Sequence, residues 1–169
     1  MKKKEPREIF KKSLVACILI IGFGVYISIR GSKEKSEFEN VTGRIDYFDT
    51  TFDEINYNHK GNHRFIHIVD SPQIFDIFVG KEPGDFGPKF EQLDKLKIGD
   101  EITVYHANKT PLQRNQDVRF NKTVQFIDKN GEAYFIRGNK DKYGGYILVG
   151  VGVLISIALL ILKQIKKIK

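Results

Sequence analysis

The sequence predicts a membrane protein in which two transmembrane helices flank one mainly-β domain of the α+β class. Three observations predict it: two long apolar segments without charge, a basic excess confined to the chain ends, and alternating apolar residues in between. The predicted segments, in chain order, are a basic cytoplasmic tail (1–12), a first transmembrane helix (13–30), a linker (31–37), an extracytoplasmic β-domain (38–138), a second linker (139–145), a second transmembrane helix (146–162) and a basic cytoplasmic tail (163–169).

The two apolar segments approach the length needed to cross a bilayer. Residues 14–29 and 146–162 contain no charged side chain, and each would extend about 25 Å as a helix at roughly 1.5 Å per residue. A cleaved signal peptide is the alternative for the first segment, although its exit lacks a small-x-small cleavage site. A core helix of a soluble protein is the alternative for the second.

Small residues recur within both apolar segments. Gly24 with Ser28, and Gly152 with Ser156, are spaced by four, and such pairs allow two helices to approach closely in lipid. Gly22 and Gly150 are expected to widen the same faces. The pattern fits packing of the two helices within one chain and fits dimerisation equally well.

The net charge of +7 lies in the two tails. Residues 1–12 contain six basic and two acidic residues, and residues 163–169 contain four basic and no acidic residues, so each tail carries +4. Basic residues next to a span accumulate on the cytoplasmic side. Both termini are therefore predicted in the cytoplasm of a cell with the spans in its plasma or inner membrane. The central domain is close to neutral, so the predicted partner is the lipid bilayer and not nucleic acid.

The central domain is predicted to be a small β-barrel or compact sandwich with one short helix. Alternating or β-branched stretches predict strands, and a turn at Asp128–Gly131 predicts a hairpin between the last two. Pro88 and the spacing of Phe86, Phe90, Leu93 and Leu96 predict the helix. Phe126 and Tyr105 are expected to be buried. The predicted strands are 41–48, 63–69, 73–79, 101–106, 117–127 and 133–136.

One stretch resembles a known family. The segment from Leu96 to Tyr105, with its Gly99-Asp100 turn, and the following loop from Asn108 to Pro111 are similar to a widespread bacterial family of membrane-anchored proteins of unknown function. In that family an extracytoplasmic β-domain ends in a Gly-Asp-x-Val-x-Val-x-Tyr strand and an Asn-x-Pro loop. His106 and Ala107 depart from its pattern, which tends to have aspartate and proline there. The resemblance implies a fold and a location, and no activity.

Histidines are the first candidates for chemistry. His59, His63 and His67 are spaced by four, and on a helix they would share a face that holds a metal ion. The alternation around them favours a strand instead. There His63 and His67 lie about 13 Å apart at roughly 3.3 Å per residue, too far for one ion. They are expected to be solvated or interfacial.

Nucleophiles and carboxylates add no catalytic set. Cys17 lies within the first apolar segment, and Ser71 precedes a proline without a nucleophile-elbow motif. Asp46, Asp49, Asp53 and Glu54 predict a solvated loop, with calcium binding as the alternative. We therefore predict no catalytic, cofactor-binding or metal residues, and no enzyme. The alternative is a site built on His63, His67, His106 or the 46–54 loop.

The predicted function is that of a non-enzymatic integral membrane protein. Its extracytoplasmic β-domain is expected to serve protein–protein interaction in an envelope assembly, with a protein partner or a second copy of the chain, and without cofactor or small-molecule substrate. An oligomeric channel or transport component gated by the β-domain is the alternative. The absence of ionisable residues from both apolar segments disfavours it, because such residues usually mark ion pathways.

Overall fold

The computed structural model describes residues 6–52, 62–80, 84–111 and 113–165. They form two compact units. One is a pair of helices, α1 (Pro6–Gly31) and α2 (Lys140–Gln164). The other is a β-domain from Lys33 to Asn139. Both helices are long and apolar enough, by length and composition, to cross a membrane. The predicted α+β class with two flanking apolar helices is thus confirmed.

The two helices meet through small residues. A Cβ atom at Gly24 would lie 2.9 Å from the carbonyl oxygen of Gly145, and one at Gly152 would lie 2.6 Å from Cγ1 of Ile21. The hydroxyl of Ser28 donates to the carbonyl oxygen of Lys142 at 3.4 Å. Because late residues of α1 meet early residues of α2, the helices run antiparallel. Close approach therefore depends on glycines that leave room for the facing backbone.

Two of the small residues behave differently from the prediction. A Cβ atom built at Gly22 or Gly150 would meet nothing within 4 Å. Both glycines are exposed on the surface of the helix pair and do not widen the contact between its helices. Each of these glycines comes directly after a residue that lies in the contact between the helices. Because successive residues of a helix point about 100° apart, the glycine itself points away from the contact.

The regions predicted as linkers contain regular structure. Helix α2 begins at Lys140, so most of the 139–145 stretch is helical. Asp141 lies in its first turn, where the helix dipole favours a negative charge. Gly31 ends α1, and Lys35–Glu37 forms a 3₁₀ turn.

The β-domain contains six strands: β1 (Glu39–Asp49), β2 (His63–Ile68), β3 (Ile74–Phe78), β4 (Glu101–Asn108), β5 (Lys122–Lys129) and β6 (Glu132–Ile136). They form one antiparallel sheet in the order β3-β2-β1-β4-β5-β6. We divide it into two halves, β3-β2-β1 and β1-β4-β5-β6, which share the long strand β1. Residues 39–44 of β1 pair with β4, and residues 45–49 pair with β2, with a bulge between Ile45 and Tyr47.

The sheet is open, so the predicted barrel is wrong. Its edge strands are β3 and β6, and the strand order does not close on itself. At roughly 4.8 Å between neighbouring strands, β3 and β5 would lie about 19 Å apart in a flat sheet, yet they are in contact. The sheet therefore curves so that β3 and β5 come together, and residues of both halves share one core.

Most of the core lies between the two halves of the sheet. Two fully buried residues of one half, Ile66 and Phe75, belong to the same cluster as Val104 and Ile127 of the other.

The hairpin predicted at 128–131 is confirmed, with positive φ at Asn130 (53°) and Gly131 (81°). A positive φ suits glycine because it has no Cβ.

The predicted short helix is wrong. The segment from Gly84 to Leu96 contains two 3₁₀ turns, Gly84–Phe86 and Leu93–Lys95. Between them Lys89 forms an isolated bridge with Ile136, the last residue of β6. The backbone of Lys89 both donates to and accepts from Ile136 at 2.9 Å. Pairing with the sheet edge replaces the helical hydrogen bonds that the apolar spacing had indicated.

The burial predicted for Phe126 and Tyr105 is also wrong, because both are only half-buried. On β4 the buried residues are Ile102, Val104 and His106, which alternate with Tyr105. The rings of Tyr105 and Phe126 contact each other on the opposite face of the sheet, with centroids 6.4 Å apart. Thr103 and Ala107 share the face of Tyr105 on β4, and both are likewise only half-buried.

Candidate interaction surface

The β4–β5 loop (109–121) is a long connection with many internal hydrogen bonds. Its base is closed by the backbone N–H of Lys109, which donates to the carbonyl oxygen of Asn121 at 2.9 Å. The side chain of Asn121 accepts from the backbone N–H of Asn115 at 2.7 Å and donates to its carbonyl oxygen at 3.3 Å. Compact loops whose ends meet are frequently functional.

Phe120 fixes the end of this loop to the sheet. It is fully buried and belongs to a second cluster with Phe65 of β2 and Ile74 of β3. Tyr47 and Phe52 pack against that cluster, and the rings of Phe52 and Phe120 meet edge to face with centroids 5.6 Å apart. Such aromatic contacts add stabilisation beyond burial alone, so the loop is anchored by packing as well as by hydrogen bonds.

An ion pair adds a third restraint. Asp117 accepts from the backbone N–H of Arg119 at 3.0 Å and from its Nη2 at 2.7 Å. These bonds from the guanidinium and the backbone lower the pKa of Asp117 below its ordinary value. The guanidinium also lies 6.0 Å and 5.9 Å from the ring centroids of Phe52 and Phe120. Arg119 therefore holds the loop against its aromatic anchor.

The residues between these restraints face outward. We call Gln113–Gln116 and Val118 the loop tip. All five are exposed, and Val118 is 71% exposed. A loop already held in one conformation loses little conformational freedom when it binds, which favours affinity. The loop tip thus presents amide and guanidinium donors beside one apolar side chain on a fixed support.

The sequence did not single out this loop, because we predicted a strand from residue 117. Residues Val118–Phe120 instead form a 3₁₀ turn, with Asp117 accepting at its start. A local signal for the loop was present in the sequence. Pro111 favours a turn by fixing its own φ, and the side chains of Asn115 and Asp117 favour turns by bonding to nearby backbone.

Two of the histidines considered for chemistry, His63 and His67, each have their own partner. Nδ1 of His63 lies 2.6 Å from Oδ1 of Asp76, and Nδ1 of His67 lies 2.6 Å from Oδ1 of Asp46. Nε2 of His67 lies 2.8 Å from the carbonyl oxygen of Ser71. Both pairs tie neighbouring strands or turns together. A carboxylate that orients an imidazole is also found in metal and catalytic sites.

The described residues contain no group of three or more His, Cys, Asp or Glu side chains that would hold a metal ion. His59, Asp53 and Glu54 lie outside the described residues. The hydroxyl of Ser71 accepts from the backbone N–H of Gln73 at 3.2 Å within the β2–β3 turn. Cys17 is buried within the helix pair.

No family model matches the chain, and no significant match exists among curated proteins or solved structures.

Proposed function

We propose that the chain is an integral membrane protein that is held in the bilayer by α1 and α2 and presents its β-domain outside the cytoplasm as a protein-docking module. The carrying observation is the distribution of side chains on the helix pair, because it distinguishes a membrane hairpin from a pair of soluble helices.

On both helices many large apolar side chains face outward, whereas small residues lie where the two helices approach most closely. Leu19 and Leu154 are each 68% exposed, whereas Gly24, Ser28 and Gly145 lie in the contact. In water a helix pair buries its large apolar residues between its helices. In lipid there is no such driving force, and small residues that allow close packing form the interface. The observed arrangement is the one that lipid favours.

The orientation follows from the basic tails and agrees with the family resemblance of the 96–111 stretch. A cysteine at Asn115, in the loop tip, should react with a membrane-impermeant thiol reagent in intact cells. A cysteine at Gln164, the last residue of α2, should react only after lysis. For both, Cys17 is first replaced by alanine. The opposite labelling pattern would place the β-domain in the cytoplasm.

The loop tip is the proposed docking element. Its polar side chains stand on a support fixed by Phe120 and Arg119, and an exposed apolar residue, Val118, lies beside them. Loops held on a rigid scaffold carry binding function disproportionately. An envelope assembly supplies partners of the expected kind, namely proteins with an accessible polar surface.

Site-specific photocrosslinking in native membranes tests this proposal. A photoreactive amino acid at Arg114 should give one discrete adduct with another protein, while the same amino acid at Glu132, an exposed residue beside the β5–β6 turn, should not. Asn121→Ala, which removes the side-chain bonds to Asn115, should weaken the Arg114 adduct. Equal adducts at both positions, or none, would contradict docking through the loop tip. Ion flux through liposomes containing the purified chain would instead support the transport alternative.

A further inference from the structure

His106 is a titratable residue on the inward face of the sheet. It is 7% exposed and follows Ile102 and Val104 on the buried side of β4. Its ring stacks on that of Phe75 from β3, with centroids 5.7 Å apart and planes inclined by 24°. A histidine therefore lies where the two halves of the sheet meet, packed on an aromatic ring of the core.

The imidazole is incompletely satisfied. Among the described residues, Nδ1 has no hydrogen-bond partner. The nearest carboxylate oxygen is Oε2 of Glu39, on β1, at 3.7 Å. That oxygen already accepts from Nζ of Lys122, on β5, at 2.9 Å. Burial, with a smaller effect from Lys122, lowers the pKa of His106 below its ordinary value, and Glu39 opposes that change.

The strand pairing at His106 is irregular. Its strand has a register shift between Tyr105 and His106 in the pairing with β5. Strand β3 is hydrogen-bonded to β2, and it meets β5 across the core through side chains. Packing such as that of Phe75 on His106 therefore holds the two halves together at this place.

We propose that His106 is an acid-sensitive latch: when its imidazole takes up a proton, the packing of β3 against β4 and β5 loosens and the core between them opens. A charged imidazole would be desolvated against Phe75 and repelled by Lys122. It would also compete with Lys122 for Glu39. This inference goes beyond docking, and it gives the domain a response to the pH of its surroundings.

The direction of the effect follows from linkage. Well above a pH of about 6.5 histidine is neutral in the folded and the unfolded chain, so the titration of His106 does not change the free energy of unfolding there. As the pH falls below that value, the unfolded chain binds the proton more readily than the folded one. The free energy of unfolding therefore falls, and it levels off once the folded form also binds the proton.

Amide hydrogen exchange of the full chain in lipid nanodiscs tests the latch. After correction for the intrinsic pH dependence of exchange, the amides of β3 (Ile74–Phe78) should exchange several-fold faster at pH 5.0 than at pH 7.5, because the folded form binds the proton less readily than the open form. In His106→Gln the acceleration should disappear. In His63→Gln, which removes another histidine that contacts β3, it should persist. Loss in His63→Gln, or persistence in His106→Gln, would overturn the proposal.

Two further variants, which retain His106, test the proposal if His106→Gln does not fold. Glu39→Gln removes the nearby anion that favours the protonated imidazole in the folded chain, so the acceleration of β3 exchange at low pH should be larger than in the wild type. Lys122→Gln removes the repelling cation and releases Glu39, so the acceleration should be smaller than in the wild type. A purely structural role for His106 would leave the acceleration unchanged in both variants, and that result would also overturn the latch.

Discussion

Arg137 donates a hydrogen bond from Nη2 to the backbone carbonyl oxygen of Lys33 at 2.8 Å. The two residues mark the end and the beginning of the β-domain. Nη1 of the same guanidinium donates to Oε1 of Gln125 at 2.8 Å, and the group lies 5.0 Å from the ring centroid of Phe38. The side chain of Arg137 thus connects the start of the β-domain, at Lys33 and Phe38, with strand β5 at Gln125.

We expect Arg137→Ala to destabilise the β-domain by about 1–3 kcal/mol, since it removes hydrogen bonds from a charged donor and a stacking contact on Phe38. Chemical unfolding of the purified chain, followed by near-ultraviolet circular dichroism, measures this. Arg114→Ala in the loop tip is the matched control and should change stability by less than about 0.5 kcal/mol. Equal effects of the two substitutions on the free energy of unfolding would show that the contacts of Arg137 do not stabilise the β-domain.

Phe120→Ala should cost more stability than Phe126→Ala. Phe120 is fully buried in the second cluster, so its removal leaves a cavity and should cost about 3–5 kcal/mol. Phe126 is half-buried on the outer face of the sheet, and its truncation should cost clearly less. Unfolding of both variants under one set of conditions gives the comparison. The reverse order would mean that the outer face, with Phe38 and Tyr105, is the tighter packing environment.

Gly145→Leu should disrupt the contact between α1 and α2, because a Cβ there already overlaps Ser28 Oγ and comes within 2.5 Å of the carbonyl oxygen of Gly24. Overpacking of this kind typically costs about 1–3 kcal/mol. Gly150→Leu makes the same chemical change where nothing lies within 4 Å, and it should be tolerated. Sodium dodecyl sulfate titration of the helix pair, followed by fluorescence transfer between labelled helices, distinguishes the two. Similar loss in both would contradict the observed contact.

The ion pair of Arg64 with Asp94 should contribute to stability only where Asp94 is ionised. Nε and Nη2 of Arg64 donate to the two carboxylate oxygens at 2.5 Å and 2.9 Å, and this lowers the pKa of Asp94 in the folded chain. The contribution is therefore present above the unfolded-state pKa, near 3.9, and is lost as the pH falls below it.

Asp94→Asn measures that contribution. Since the Asp94 side chain is 54% exposed, we expect a loss of about 0.2–1 kcal/mol at pH 7 that shrinks towards zero below about pH 4. Asp70→Asn is the control: it makes the same change at an exposed residue whose positive φ of 64° asparagine tolerates. A loss at pH 7 that persisted unchanged at low pH would indicate packing and not charge.

Local pattern was sufficient for the elements of this fold. The two uncharged segments predicted two long helices, and alternation placed five of the six strands within a few residues of their observed ends. The strand predicted at 117–127 begins only at Lys122, because Asp117 caps a 3₁₀ turn over Val118–Phe120. The helix predicted near Pro88 failed since the backbone of Lys89 pairs with Ile136, a contact between residues far apart in sequence that no local period reveals.

By itself the sequence determined the apolar helices and the strand periods, because these depend on neighbours within a few positions. It marked Gly24 and Gly152 as small residues, but only the tertiary structure showed that they lie in the contact between the two helices. The tertiary structure alone decided which face of β4 is buried, since His106 stacks on Phe75 and Tyr105 contacts Phe126 on the opposite face. The aromatic anchor under the loop tip likewise depends on Phe120 meeting Phe52 and Phe65. A strand offers two faces of similar composition, and only the partner strands select the one that enters the core.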